Sequence, residues 1–393
     1  MPFTPHLSRE RNAPPTALAV AATLCLAGCA AYSPTARPHP IATRQAAPSP
    51  APQATTPPVE GVAHRAAPAG PWSQRAPESP NVSQLTFASV GEVFDPSISR
   101  DGQWLAFAGT QHRTSADIYI KRIESRVVTQ LTNDPAEDTM PAISPDGARI
   151  AFASNRNGNW DIYVMPISGG RPMQITSDAA HEVHPSWSPD GTRLVYNRMG
   201  LSSGRWEMWV TEVHDSPVSH FIGYGMFPQW CPKPGTGLSG GDRILFQRSR
   251  ERGDRAFSIW TLDFKGDQAS APTEIISSPV GALINPSWSP DGKRITFASV
   301  PNEGDWSTLV RRKPRRADLW MLDIEGTNLI KLTDGATVDL SPVWAGSSRI
   351  VFASNRNGED NLWALDVTDA IRLAEGRSTP GLAAAQEETS SGR

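Results

Sequence analysis

The stretch Pro185-Ser186-Trp187-Ser188-Pro189-Asp190-Gly191 decides the fold, because versions of it return through most of the chain. Its core is Pro, any residue, then Ile or Trp, and Ser-Pro-Asp-Gly often follows. That core occurs six times, at Asp95–Ile98, Met140–Ile143, His184–Trp187, Phe227–Trp230, Asn285–Trp288 and Ser341–Trp344. A second motif follows each copy, at Asp117–Tyr119, Asp161–Tyr163, Glu207–Trp209, Ser258–Trp260, Asp318–Trp320 and Asn361–Trp363. Two independent motifs with the same count predict six repeats of one structural unit.

Each repeat is predicted to form four short antiparallel strands. In the second repeat the predicted strands are Pro141–Ser144, Arg149–Ser154, Trp160–Pro166 and Pro172–Thr176, separated by Gly-containing turns. A proline in the first strand fits an inner edge that faces a central channel, where a missing N–H costs little. The repeat length suits propeller blades. The sequence therefore predicts an all-β, six-bladed β-propeller over residues 81–373.

The outer strand of the last blade has two candidates. Gln-Leu-Thr or a close variant ends several repeats, and a spare copy, Gln84-Leu85-Thr86, stands before the first repeat. Residues 83–88 would then complete the last blade and close the ring without an open seam. Ile371-Arg372-Leu373 is the competing candidate, from the other end of the propeller.

The N-terminal region is predicted to be an export signal and a tether. Arg9 and Arg11 precede a short apolar run that ends in Leu26-Ala27-Gly28-Cys29, which is similar to a bacterial lipobox. Residues 1–28 are thus expected to be a lipoprotein signal peptide and Cys29 the lipidated residue, an ordinary signal peptide cut elsewhere being the alternative. Residues 29–80, rich in Pro and Ala, read as a disordered tether, and 374–393 as a disordered tail.

Composition argues against several classes of function. The net charge is −3 and the pI about 6.3, so no basic field points to nucleic acid. Cys231 is the only cysteine of the predicted propeller and is expected to be a small buried residue. We expect no cofactor and a monomer.

Three motifs suggest chemistry that their context disfavours. Gly237–Gly241 matches the G-x-S-x-G nucleophile elbow, yet it lies in a loop before a predicted strand, and no His follows His220. His181 and His184 have metal-like spacing but are too few for a zinc site. The Asp residues of the Ser-x-Asp-Gly motifs lie one per blade, so they are expected to stabilise turns. The Trp residues at 187, 230, 288 and 344 are expected to wedge between blades.

Repeat phase suggests a binding site at one mouth of the channel. The residue before each repeated Pro should line that mouth: Asp95, Met140, His184, Phe227, Asn285 and Ser341. Loops on the same face carry cations that could form a rim for an anionic partner: Arg248, Arg250, Arg252, Arg311, Arg312, Lys313, Arg315 and Arg316. The alternative is that these loops are simply solvated.

The repeats resemble the TolB β-propeller family, especially Trp-Ser-Pro-Asp-Gly (187–191 and 288–292) and Phe-Ala-Ser-Asn-Arg-Asn-Gly (152–158 and 352–358). The resemblance implies a propeller that binds a peptidoglycan-associated lipoprotein at one channel mouth. The Pro-rich segment stands where that family has an α/β domain, which favours a related envelope adaptor. We therefore expect a non-catalytic outer-membrane lipoprotein that faces the periplasm and binds an envelope protein or cell-wall polymer. The alternative is a propeller that binds or cleaves polysaccharide at the cell surface.

Overall fold

The computed structural model describes Trp72 and residues 81–214, 217–249, 257–301 and 314–376. These residues form six four-stranded antiparallel sheets arranged as the blades of a β-propeller, so the predicted fold is confirmed. The signal peptide, Cys29, the tether apart from Trp72, and the tail from residue 377 lie outside the described residues. Within the described part, no helix is long and apolar enough to cross a membrane.

The chain begins its described fold with β1 (Val82–Gln84), which belongs to the last blade. Blade 1 consists of β2 (Val93–Ile98), β3 (Trp104–Gly109), β4 (Asp117–Arg122) and β5 (Thr129–Gln130). Blade 2 consists of β6 (Asp138–Ile143), β7 (Arg149–Ser154), β8 (Asp161–Pro166) and β9 (Met173–Gln174). Blade 3 consists of β10 (Glu182–Trp187), β11 (Arg193–Met199), β12 (Trp206–Glu212) and β13 (Ser219–Tyr224). The first strand of each blade is thus the one that contains the repeated Pro motif.

The second half of the ring repeats this plan with longer strands. Blade 4 consists of β14 (Met226–Trp230), β15 (Asp242–Ser249), β16 (Phe257–Lys265) and β17 (Gln268–Ile276). Blade 5 consists of β18 (Gly281–Trp288), β19 (Arg294–Pro301), β20 (Asp318–Asp323) and β21 (Ile330–Lys331). Blade 6 consists of β22 (Asp339–Trp344), β23 (Arg349–Asn357), β24 (Glu359–Asp366) and β1, and the helix α1 (Thr368–Ala374) follows it.

Alternation of large and small residues lets neighbouring blades stack. In β7, Ile150 and Phe152 pack against blade 1, whereas Ala151 and Ala153 belong to the core shared with blade 3. Side chains on successive positions of a strand point to opposite faces, so each sheet presents one bulky and one small face. The core therefore lies between blades, and each Phe-bearing face fills the space that an Ala-bearing face leaves.

The Asp residues of the Ser-x-Asp-Gly motifs stabilise the turns between first and second strands. In blade 2, Ser144 Oγ donates to Asp146 Oδ1 at 2.5 Å, and Asp146 Oδ1 also accepts from the Ala148 N–H at 3.0 Å. The bond from Ser144 lowers the pKa of Asp146. The same arrangement occurs at Asp101, Asp190 and Asp291. Each carboxylate is therefore committed to its own turn.

The N-terminal strand closes the ring. β1 pairs with β24, with Val82 opposite Leu365 and Gln84 opposite Trp363, and the Leu85 N–H donates to the carbonyl of Leu362 at 2.8 Å. The competing candidate, Ile371–Leu373, lies within α1 and is not a strand. The prediction that residues 83–88 complete the last blade is confirmed. The paired strand itself is Val82–Gln84, and Leu85 and Thr86 form further hydrogen bonds to blade 6.

Candidate functional site

The six first strands surround a central channel that opens into two cavities. The smaller, about 90 Å³, we call the narrow end; the six residues before the repeated prolines line it. The larger, about 230 Å³, we call the funnel; it lies at the opposite end, where the first strands finish in the Ser-x-Asp-Gly turns. Inner strands of adjacent blades contact one another all round the ring, so blades 1 and 4 face each other across the channel.

The six predicted mouth residues share an unusual backbone conformation. Their φ angles are all positive, between 49° and 56°, at Asp95, Met140, His184, Phe227, Asn285 and Ser341. At each one the pairing between first and second strand is interrupted by a bulge. Positive φ is strained for Met and Phe in particular. The packing of the ring imposes this strained backbone conformation. The six side chains that carry it lie together at the narrow end of the channel and form a constriction.

Two ionisable groups at the narrow end have shifted pKa values. Burial raises the pKa of Asp95 to about 7, opposed by a backbone hydrogen bond from Met140. Its Oδ2 has no hydrogen-bond partner among the described residues. Burial lowers the pKa of His184 to about 3, and its ring centroid lies 3.8 Å from that of Phe227. Burial therefore favours the neutral form of both His184 and Asp95.

We expect Asp95→Asn to stabilise the protein increasingly as pH rises. The folded state holds the Asp95 proton up to about pH 7, whereas the unfolded chain releases it near pH 4, so this carboxyl makes folding less favourable as pH rises through that interval. Asn does not ionise and tolerates positive φ. Thermal melts should show a gain of several degrees at pH 8 and little change at pH 4.

Asp101→Asn is a control for which the opposite effect on stability is expected. The hydrogen bond from Ser99 is the main cause that lowers the pKa of Asp101, so this carboxylate stabilises the fold above pH 4. The Asp101 variant should lose stability at pH 8. If the Asp95 variant lost stability in the same way, the assigned pKa of Asp95 would be wrong.

The two histidines with metal-like spacing do not share a site. His181 is exposed, and its Nδ1 lies 3.3 Å from the backbone N of Trp160, whereas His184 faces the channel. No group of three potential metal-ligating side chains occurs in the described ranges. Gly237–Gly241 forms a loop that leads into the strand β15, as predicted, and the Ser239 N–H donates to Asp263 Oδ2 at 2.8 Å. Cys231 is fully buried.

The structure describes three residues of the predicted cationic rim at the narrow end: Arg248, Arg315 and Arg316. Arg248 ends β15 on the narrow-end face, but its guanidinium lies 5.3 Å from the Trp260 ring centroid and lines a separate cleft between blades 3 and 4. Arg315 and Arg316 are exposed just before β20. None of the three is among the residues that line either channel cavity. Arg250, Arg252, Arg311, Arg312 and Lys313 lie outside the described residues.

Three layers of equivalent residues line the funnel, and the sequence analysis had not grouped them. The rim is Arg100, Pro145, Pro189, Pro232, Pro290 and Gly346. The second layer is Ile98, Ile143, Trp187, Trp230, Trp288 and Trp344. The third layer is Ser97, Ala142, Ser186, Gln229, Ser287 and Val343. The funnel lining therefore mixes proline and tryptophan edges with polar groups, including serines near the rim and in the third layer.

The tryptophans of the second layer are wedges between blades, as predicted. The Trp187 indole donates to the carbonyl of Ala142 in blade 2 at 2.8 Å, and that of Trp288 donates to the carbonyl of Gln229 in blade 4 at 3.0 Å. All four rings are more than nine-tenths buried. Only their edges reach the funnel, so they shape its wall and do not offer open stacking faces.

Fold and site together define a six-bladed β-propeller with a closed ring and an accessible central funnel. Residues 81–220 match the sequence model of the TolB β-propeller domain, so the chain carries TolB-like propeller repeats. Its structure is similar to a putative TolB from Agrobacterium tumefaciens, with 21% identity, a TM-score of 0.52, and coverage of 70% of this chain and 90% of that one.

Two further structures show how widely the fold is shared. TolB from Acinetobacter baumannii is 16% identical with a TM-score of 0.50, over 65% of this chain and 58% of that one. The tricorn protease is 16% identical with a TM-score of 0.50, over 71% of this chain and 26% of that one. At such identities the likeness establishes the fold alone.

Proposed function

We propose that this chain is a non-catalytic lipoprotein of the cell envelope, anchored through Cys29, whose propeller binds a protein partner in the funnel. One observation carries the proposal. Among the described residues that line the funnel there is no carboxylate, imidazole, thiol or amine, and Arg100 is the only ionisable side chain. General acid–base and nucleophilic catalysis require such groups.

The funnel wall suits a polypeptide. Proline and tryptophan edges in its outer layers can pack against apolar side chains of a partner, and the serine and backbone polar groups between them can accept or donate hydrogen bonds. The match of residues 81–220 to the TolB propeller domain supports a protein partner in the envelope. A peptidoglycan-associated lipoprotein is the first partner that we propose to test.

We expect bulky residues at the rim to abolish partner capture. Pro145→Trp combined with Pro189→Trp would narrow the funnel, and the turns should tolerate the change because Arg100 already occupies the equivalent position in blade 1. Cross-linking capture of a peptidoglycan-associated lipoprotein from membranes should fall about tenfold or more.

The matched control lies on the opposite face. Arg315→Ala with Arg316→Ala removes two exposed cations near the narrow end and should leave capture unchanged. Loss of capture in this control, with capture retained in the rim variant, would place the partner at the narrow end. Capture of cell-wall or capsular sugar in place of protein would favour the glycan-binding alternative.

A second candidate function is cleavage of an extracellular glycan at the narrow end. The observation in its favour is that Asp95, with a pKa of about 7, lines a cavity together with the imidazole of His184. Loss of glycan cleavage in Asp95→Asn would support it. Absence of any cleavage by the wild-type protein across uronate-containing and neutral polysaccharides would oppose it.

A further inference from the structure

Arg100 breaks the pattern of the funnel rim. Blade 1 carries Ser-Arg-Asp-Gly where three other blades carry Ser-Pro-Asp-Gly, at 144–147, 188–191 and 289–292. The turn itself is unchanged, because the Ser99 and Asp101 side chains form the same hydrogen bonds as their equivalents in those blades. The turn therefore does not require the arginine.

The Arg100 side chain reaches across the mouth. Its Nη2 donates to the carbonyl of Pro232 at 3.0 Å, although the two residues are 132 positions apart and lie on opposite blades. The side chain is exposed, and no carboxylate pairs with it in the described part of the chain. The adjacent Asp101 is held by the Ser99 hydroxyl and the Gln103 N–H. Arg100 thus holds a positive charge over the funnel, bonded to a neutral acceptor.

This arrangement favours an anionic ligand group. A guanidinium binds a carboxylate through paired, charge-assisted hydrogen bonds, which are about twice as strong as a bond to a neutral carbonyl. Arg100 is exposed at the mouth, so water and salt screen its charge, and recognition depends on the paired geometry of these hydrogen bonds. Below the rim, the Ser97 and Ser186 hydroxyls accept backbone N–H groups of the next blade, so the floor of the funnel is rigid.

We propose that Arg100 is the receptor for a carboxylate of a polypeptide that binds in the funnel. This inference rests on the proposed function, since it names the chemistry of the partner segment at the same site. A polypeptide is favoured over an acidic sugar because the proposed partner is a protein and because the proline and tryptophan edges of the wall can pack against its apolar side chains. The carboxylate can be an acidic side chain or a chain terminus.

Tryptophan fluorescence gives a direct test, because four tryptophans line the second layer. The probes are hexaglutamate and hexaglutamine peptides, each with a free or an amidated C-terminus, and trigalacturonate as an acidic sugar. We expect hexaglutamate to bind, and binding to weaken with added salt. Binding of amidated hexaglutamate identifies a side-chain carboxylate, and binding of hexaglutamine only with a free C-terminus identifies a terminal one.

The decisive variant is Arg100→Pro, which restores the motif of the other blades and should fold normally. It should weaken peptide binding about tenfold or more. Arg171→Ala, which removes an exposed arginine of blade 2 away from the funnel, should have no effect. Equal binding by wild type and Arg100→Pro, no binding of any peptide carboxylate, or Arg100-dependent binding of trigalacturonate alone would overturn the inference. Partner capture that survives Arg100→Pro but fails in the rim variant would leave the proposed function standing.

Discussion

Removal of residues 81–88 should lower the melting temperature by more than about 10 °C or abolish cooperative folding. The loss would take away the fourth strand of blade 6 and the buried Leu85 side chain. It would also leave two buried polar groups without partners. Lys121 Nζ donates to the carbonyl of Leu85 at 2.5 Å, and the Asn361 amide bonds to Thr86 and Ala88. These terms sum to on the order of 5 kcal/mol or more, which is comparable with the stability of a whole domain.

A point substitution makes the same test without truncation. Leu85→Asp places a charge in the core next to Val351 and Leu362, whereas Ser83→Asp adds the same group at an exposed position of β1. Circular dichroism melts should show a large loss for the first and a shift within a degree or two for the second. Similar melts for the two variants would mean that β1 does not close the ring in solution.

Arg156→Met should destabilise the propeller by about 3–5 kcal/mol. Arg156 Nη2 lies 3.0 Å from Asp138, whose side chain is fully buried at the start of β6. Removal of the cation leaves a buried carboxylate without its partner, which is far more costly than loss of a surface pair. Arg356 and Asp339 form the equivalent pair in blade 6, so Arg356→Met should have a similar effect.

The stability lost in Arg156→Met should also depend on pH. Burial already raises the pKa of Asp138, and loss of Arg156 should raise it further. A raised carboxyl pKa makes stability fall as pH rises above the ordinary carboxyl pKa of about 4, so the deficit of the variant should be smaller at low pH and grow as pH rises. Adding Asp138→Asn should recover part of the loss. Arg349→Met, whose partner Glu124 is 76% exposed, should cost less than about 1 kcal/mol. A pH-independent deficit would contradict this account.

Short-range sequence patterns were enough to predict the blades. Turn signals such as Asp146-Gly147 and the alternation in Arg149–Ser154 act within a few residues, and β7 has the predicted bounds. The repeat count predicted six blades, and the spare Gln84-Leu85-Thr86 predicted ring closure, although Ile371–Leu373 proved helical because the strand position beside β24 is already occupied by β1. The outer strand of blade 2, predicted as Pro172–Thr176, was predicted too long, since only Met173–Gln174 pair.

The functional site depended more on the tertiary structure. Repeat phase correctly grouped the six residues at the narrow end, because equivalent positions in a propeller meet at one level of the channel. It did not show which end holds the larger cavity. The Arg-for-Pro change at Arg100 was the available signal for the funnel.

The sequence by itself determined the number of blades and their order, since both follow from local motifs repeated along the chain, and it limited the closing strand to two candidates. Only the tertiary structure decided that the funnel lies at the turn end and that Arg100 reaches Pro232 across it. The physical reason is that cavity width and cross-channel contacts depend on side chains from six distant segments, whose packing no local pattern encodes.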